Sequence, residues 1–194
     1  LKSEFLQHWY YRHGYSLRSW LIAYISVFNR IGSYIPVIYN SFLKNKFASG
    51  LLKRIVGFAR ERSIPLVYKI SLRRWLRKNL KKLNPSDPVG SVCLFIDEFT
   101  NYNDTDTGIA AVRLLTSLNY EVRTSGHDLS ARTFISKGFL RKARKIAINN
   151  VRALSDVIDE NLPLVGIEPS AILGFRDEYP DLMPAELREK SRKI

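Results

Sequence analysis

Between Ser91 and Ile167 three short apolar runs alternate with two longer stretches of helical period, and this alternation limits the fold more than any other feature. Ser91–Phe99 (SVCLFIDEF) is apolar, partly β-branched and ends in acids, as a strand buried on both faces does. Thr107–Leu118 places Ile109, Val112, Leu115 and Leu118 on one helical face. Glu121–Thr124 reads as a second, short strand. Ile135–Glu160 reads as a long helix with Phe139, Ala143, Ile146, Ala147, Asn150 and Leu154 in its period, and a break is expected near Asn149-Asn150. Leu162–Ile167 is a third strand, and Ser170–Met183 begins a last helix with Ser170 as candidate N-cap. Strand and helix in the order βαβαβα predict an α/β domain over residues 91–194, a small parallel sheet with right-handed crossovers covered by helices.

The chain ahead of this unit is of another kind. Asn84–Gly90 (NPSDPVG) has two prolines, a glycine and small polar residues, which reads as a turn or linker. Residues 1–84 are predicted to be a basic, all-helical connector. Leu1–His13 has Phe5, Leu6, Trp9 and Tyr10 at helical spacing, with Gly14 as the stop. Leu17–Ile31 is expected to be one helix capped by Ser16. Pro36 and Gly50 punctuate two more, roughly 36–48 and 50–58, and the stretch around Pro65 is expected to be irregular. Ser71–Leu83 is helical, with Arg73, Arg74, Arg77, Lys78, Lys81 and Lys82 around Leu72, Trp75, Leu76 and Leu80.

Charge separates the same two segments. Residues 1–90 hold 17 Lys and Arg against 3 Asp and Glu, whereas residues 91–194 hold 14 against 15. A basic helical segment suits nucleic acid, an anionic membrane surface, or docking onto other domains. No nucleic-acid motif accompanies the charge, so nucleic acid is the least expected partner, and docking is favoured. No apolar run approaches the length of a membrane span, and Leu1–Tyr10 lacks the layout of a signal peptide. A lone cysteine, Cys93, lies inside an apolar run and suits a reducing, cytoplasmic setting. It is read as a small core residue, since one thiol builds neither a disulfide nor a cysteine cage.

Ligands of open α/β sheets bind beyond the carboxyl ends of the strands. The three loops expected there contain Asp97, Glu98 and Asn101, then His127 and Arg132, then Glu168 and Ser170. Asp97 and Glu98 are candidate functional acids, or they cap the next helix or stay solvated, with Asp104 or Asp106 as the alternative N-cap. His127 is a candidate proton carrier or ligand, or an exposed loop histidine. Arg132 and Lys137 could meet an anion near a helix start, or be solvated cations. Glu168, directly after an apolar strand, needs a partner such as Arg132 or Arg176 if it is not functional. There is no GxGxxG, GxxxxGK[ST], GxSxG or HExxH pattern. A small independent α/β enzyme built on Glu168, His127 and Arg132 is a further reading.

Three stretches carry a resemblance: Asp97–Asn103 (DEFTNYN), Ile135–Ala143 (ISKGFLRKA) and Gly166–Tyr179 (GIEPSAILGFRDEY). In order and spacing they resemble the iron–sulfur half of FAD-linked oxidases of the D-lactate dehydrogenase and glycolate oxidase type. That domain is related to the cysteine-rich CCG domain found in glycerol-3-phosphate dehydrogenase and heterodisulfide reductase complexes. Leu1–Leu6 and Asn29–Ser33 resemble the connector that follows the ferredoxin-like region in such enzymes. The resemblance implies that this chain is a C-terminal fragment cut from a longer polypeptide. It implies upstream flavin and ferredoxin-like domains as partners, and an electron acceptor at a membrane surface, the inner face included. It also implies FAD and iron–sulfur clusters in the full-length protein. Related domains carry paired cysteines where this chain reads Ser125–Ser130 (SGHDLS), and many have Cys where it has Ala171. No cofactor is therefore expected in this fragment, which is expected to be accessory and inactive alone.

Overall fold

The computed structural model describes residues 1–194. Six helices come first: α1 Lys2–His13, α2 Leu17–Ala23, α3 Ile25–Gly32, α4 Pro36–Lys44, α5 Lys46–Val56 and α6 Leu72–Leu83. Then follow β1 Gly90–Phe95, α7 Glu98–Tyr102, α8 Thr105–Ser117, β2 Tyr120–Arg123, α9 Arg132–Ser136, α10 Leu140–Leu154 and β3 Leu164–Gly166. The chain closes with α11 Pro169–Asp177, α12 Tyr179–Leu182 and α13 Ala185–Arg192.

The three strands form one parallel sheet in the order β2-β1-β3. Val92 lies opposite Val122, and Leu94 opposite Val165. Because β1 is central, alternate side chains enter different cores, which is why its sequence is apolar without interruption. Val92, Leu94 and Ile96 join Val112 of α8, Val122 of β2, and Leu72 and Leu76 of α6. Cys93 and Phe95 join Ala147, Val151 and Leu154 of α10, Ala171 and Phe175 of α11, and Tyr179 of α12. A third cluster joins Ala23 of α2 to Ala131, Phe134, Phe139 and Ala143 around α9 and α10.

The basic segment is therefore packed onto the α/β part. Leu72 is fully buried, and burial of such a side chain contributes about 1.5–3 kcal/mol. Ahead of α2, Tyr15 stacks on Phe139 with ring centroids 4.3 Å apart. Arg141 lies over the Tyr11 ring at 5.0 Å.

Several element boundaries differ from the expected ones, each for a local reason. The helix expected over Leu17–Ile31 is two, because Tyr24 leaves helical geometry between α2 and α3 (φ −95°, ψ 15°). The next pair divides at Asn45, not at Gly50, which lies inside α5. The Asn45 side chain accepts from the N–H groups of Phe47 and Ala48, both at 3.0 Å, and so caps α5. The long helix is broken at Gly138, not near Asn149-Asn150. Gly138 has φ +73°, and a Cβ there would meet Leu6 Cβ at 2.6 Å and Gln7 N at 3.0 Å. The break thus lets α1 approach the turn between α9 and α10. At α11 the N-cap position belongs to Glu168, with Pro169 first in the helix, so Ser170 lies within it. The last predicted helix ends at Asp177 and resumes as the short α12.

Candidate functional site

Of the predicted residues, Asn101 and His127 line one cavity and Arg132 and Ser170 another, while Asp97, Glu98, Lys137, Glu168 and Arg176 line neither. Asp97, at the end of β1, is buried and caps α7. Its Oδ1 accepts from Phe99 N at 2.8 Å and Thr100 N at 3.1 Å. Asp104 occupies the N-cap position of α8 with no side-chain bond. Glu98 is 1% exposed and takes both the N–H and the hydroxyl of Ser130, at 2.9 Å. No cation pairs with it, so burial holds its pKa above the ordinary carboxylate value, while the Ser130 bonds pull the other way. Asn101 accepts from Arg73 N at 3.1 Å, which ties the start of α6 to the loop after β1.

His127 is buried with both ring nitrogens engaged. Ile96 N–H donates to Nε2 at 3.1 Å, so Nε2 carries no proton. Nδ1 then bears the hydrogen and donates to Asp128 O at 2.6 Å. Arg73 Nη2 donates to His127 O at 2.9 Å. Burial first, and the adjacent Arg73 charge second, push the His127 pKa down to about 4. The ring is neutral through the physiological range and ties β1 to the loop after β2, while the His127 carbonyl ties that loop to α6.

Asn101, Asp128, His127 and Arg73 border the first cavity, of about 360 Å³, and Arg30, Tyr34, Arg74 and Arg77 border it too. The second, of about 290 Å³, lies by Ser130, Arg132, Ser170 and Glu178, with Lys2 and Ser3 of α1 at its edge. Here Arg132 Nη1 meets Glu168 Oε1 at 2.9 Å, and the Ser170 hydroxyl donates to the same oxygen. Arg132 is thus the partner of Glu168. Arg176 is exposed and pairs with its neighbour Asp177 instead. Lys137 lies at the C-terminus of α9, and partial burial, then the charges of Lys2 and Arg18, lower its pKa.

Sequence reasoning missed the polar network that joins the loops beneath the cavities. Asn150 donates to Leu129 O at 2.8 Å and to Tyr179 Oη at 2.9 Å, and accepts from Asp128 N at 2.6 Å. Tyr179 Oη donates to Ser130 O at 2.9 Å. The signal was an Asn on the apolar face of α10, where a side chain with donors and an acceptor must find partners. Arg73 was likewise read only as part of a basic face. It stands three residues before the buried Leu76, so it borders the apolar stripe of α6.

With this geometry in view, the comparisons place the chain beside dehydrogenases. D-2-hydroxyglutarate dehydrogenase of Pseudomonas putida is 28% identical over 187 residues, 92% of this chain and 18% of that protein. The protein of the same name from Escherichia coli is 25% identical over 187 residues, with the same shares. One of the polypeptides of the anaerobic glycerol-3-phosphate dehydrogenase of Escherichia coli is 24% identical over 170 residues, 87% of this chain and 42% of that polypeptide. This chain is similar to parts of oxidoreductases. It spans less than a fifth of the length of the two D-2-hydroxyglutarate dehydrogenases. No family model matches the chain, and no solved structure does.

The residues present do not fit an iron–sulfur cluster. Such clusters are held by several thiolates, and the one thiol here, Cys93, is fully buried inside β1. Burial raises its pKa, which disfavours the thiolate a metal needs. Ala171 is packed in the apolar core beside Phe175. No group of three or more His, Cys, Asp and Glu side chains converges as a metal site.

Proposed function

We propose that this chain is a C-terminal accessory domain of a flavin-dependent dehydrogenase acting on 2-hydroxy acids of the D-lactate, glycolate or D-2-hydroxyglutarate kind. In this reading FAD and the iron–sulfur clusters belong to the rest of the polypeptide, electrons pass through those clusters, and this domain docks against the flavin and ferredoxin-like parts. One observation carries the reading: the alignment with D-2-hydroxyglutarate dehydrogenases runs through 92% of the chain. The thiol-poor loops support an accessory role over a relay role. Residues 1–84 would serve as connector and residues 91–194 as the CCG-like unit.

The test is the intact polypeptide with and without these residues. Full-length protein is expected to oxidise one of these acids with a soluble dye. Deletion of this domain is expected to leave flavin content unchanged while slowing turnover with the physiological acceptor. The isolated chain, reconstituted anaerobically with iron and sulfide, is expected to take up no stoichiometric iron. Turnover of a hydroxy acid by the isolated chain, or a cluster spectrum from it, would refute the reading.

One observation favours a second reading, a module on an anionic membrane surface on the cytoplasmic side. Val37, Ile38 and Phe42 of α4 and Phe47, Leu51 and Ile55 of α5 are all exposed, and Lys44, Lys46, Lys53 and Arg54 share these two helices. Apolar side chains among cations suit lipid headgroups. No helix is long and apolar enough to cross a membrane. Co-sedimentation with anionic but not neutral vesicles would support this reading. Equal recovery with both would remove it.

A further inference from the structure

The four arginines around the first cavity have no role in the reading above. Arg73, Arg74 and Arg77 project from adjoining turns of α6, and Arg30 comes from α3. The molecule has six ion pairs, and none of them includes any of these four. Asp128 is the one carboxylate at the cavity, so the lining carries a net charge of +3 from four guanidiniums and that acid. Like charges gathered on protein walls repel one another and concentrate the field on whatever anion enters.

Arg73 adds an independent sign. One end of its guanidinium is tied to His127 O, yet its Nε is buried with no hydrogen-bond partner. A buried donor left unpaired costs about 1–3 kcal/mol. Arg73 is thus set more deeply than the other three arginines and fixed in place against the loop after β2. The guanidinium fork matches the paired oxygens of carboxylates and phosphates. The cavity, about 360 Å³, is near the small end of the range for ligand pockets. It also lies by the loops that follow β1 and β2, the carboxyl edge of the sheet.

We propose that the cavity between α3, α6 and the loops after β1 and β2 binds a small oxyanion of two or more negative charges, a dicarboxylate or a phosphate. Arg30, Arg74 and Arg77 would contact it, and Arg73, fixed by His127 and Asn101, would position the site. Tyr34 and Tyr102 line the same cavity. The net charge of +3 attracts a dianion more strongly than a monoanion.

Calorimetric titration of the 194-residue chain at low ionic strength, with inorganic phosphate and separately with malonate, tests this. Saturable binding of one to one stoichiometry is expected from at least one probe, and the tighter of the two identifies the ligand class. Chloride at matched ionic strength should not compete. Arg74→Gln/Arg77→Gln is expected to weaken binding by about tenfold or more. Both side chains are exposed, so the fold should persist, as far-UV circular dichroism can check. Arg30→Gln, on a different helix, should weaken the same probe and decides the matter if the double variant does not fold. Absence of saturable binding by both probes, equal competition by chloride, or unchanged affinity in the folded variants would overturn the assignment.

Discussion

Two buried titratable groups of the loops, His127 and Glu98, pull stability in opposite directions with pH. His127 has a folded pKa of about 4 against an ordinary value of 6.5. The folded state thus binds fewer protons than the unfolded one in that window. Stability is fully present above pH 6.5 and is lost as pH falls towards 4, by on the order of 3 kcal/mol. Denaturant titrations across this window should show that slope in the parent chain and its absence in His127→Gln. A parent curve with no loss below pH 6.5 would contradict the buried neutral ring. Glu98 runs the other way. Its folded pKa lies above the ordinary 4.5, so the folded state holds the proton longer and stability falls as pH rises from 4.5 through the raised value. Glu98→Gln, which keeps an acceptor for Ser130, is expected to raise stability at neutral pH and to flatten that descent. Destabilisation by the amide at neutral pH would show that the charge is better compensated than the structure indicates.

At the scale of elements, two close approaches decide how the helices meet the sheet. Gly138 combines φ +73° with direct contact to α1. Gly138→Ala must adopt a left-handed conformation and push Leu6 and the Gln7 backbone away. A loss of about 2 kcal/mol or more is expected, read as a lower denaturation midpoint together with faster hydrogen exchange in α1. Unchanged exchange in α1 would mean that this helix is not docked there. On the other face, Leu72 of α6 fits against Gly108 of α8, where an added Cβ would come within 2.5 Å of its Cδ2. Leu72→Ala is expected to cost about 2–5 kcal/mol, as for other fully buried leucines. A cost below about 1 kcal/mol, the range of an exposed site, would mean that α6 is peripheral.

For the whole molecule, the shared cores join the basic helices to the sheet, so the two segments are expected to unfold together. Leu72 and Leu76 complete the core on one sheet face, and Ala23 completes the third cluster. All three tryptophans, Trp9, Trp20 and Trp75, lie before the linker. Their fluorescence therefore reports on the basic segment, while far-UV circular dichroism reports on every helix. The two signals are expected to give coincident denaturation midpoints. Separate midpoints would show that residues 1–84 and 91–194 unfold independently.

The small parallel sheet was legible because its signal is local and periodic. A central strand buried on both faces writes an unbroken apolar run, as Val92–Ile96 does, and helices between strands write a period near 3.6. Glycine and proline marked ends well at Gly14 but poorly at Gly50, since a permissive residue need not use its freedom. The site was legible only as a rim. Loops after parallel strands converge by topology, so Asp97, Glu98, His127 and Glu168 could be named as candidates. Of their pairings only Glu168 with Arg132 stood among the alternatives; Glu98 with Ser130, and His127 with Ile96 and Arg73, did not, because they depend on distances between segments far apart in the chain. The arginine cavity is the sharpest case. Sequence alone determined that α6 would be basic on one side and apolar on the other. Only the docking of that apolar side onto the sheet turned three of its arginines toward Arg30 and Asp128, because burial of Leu72 and Leu76 sets the rotation of the helix.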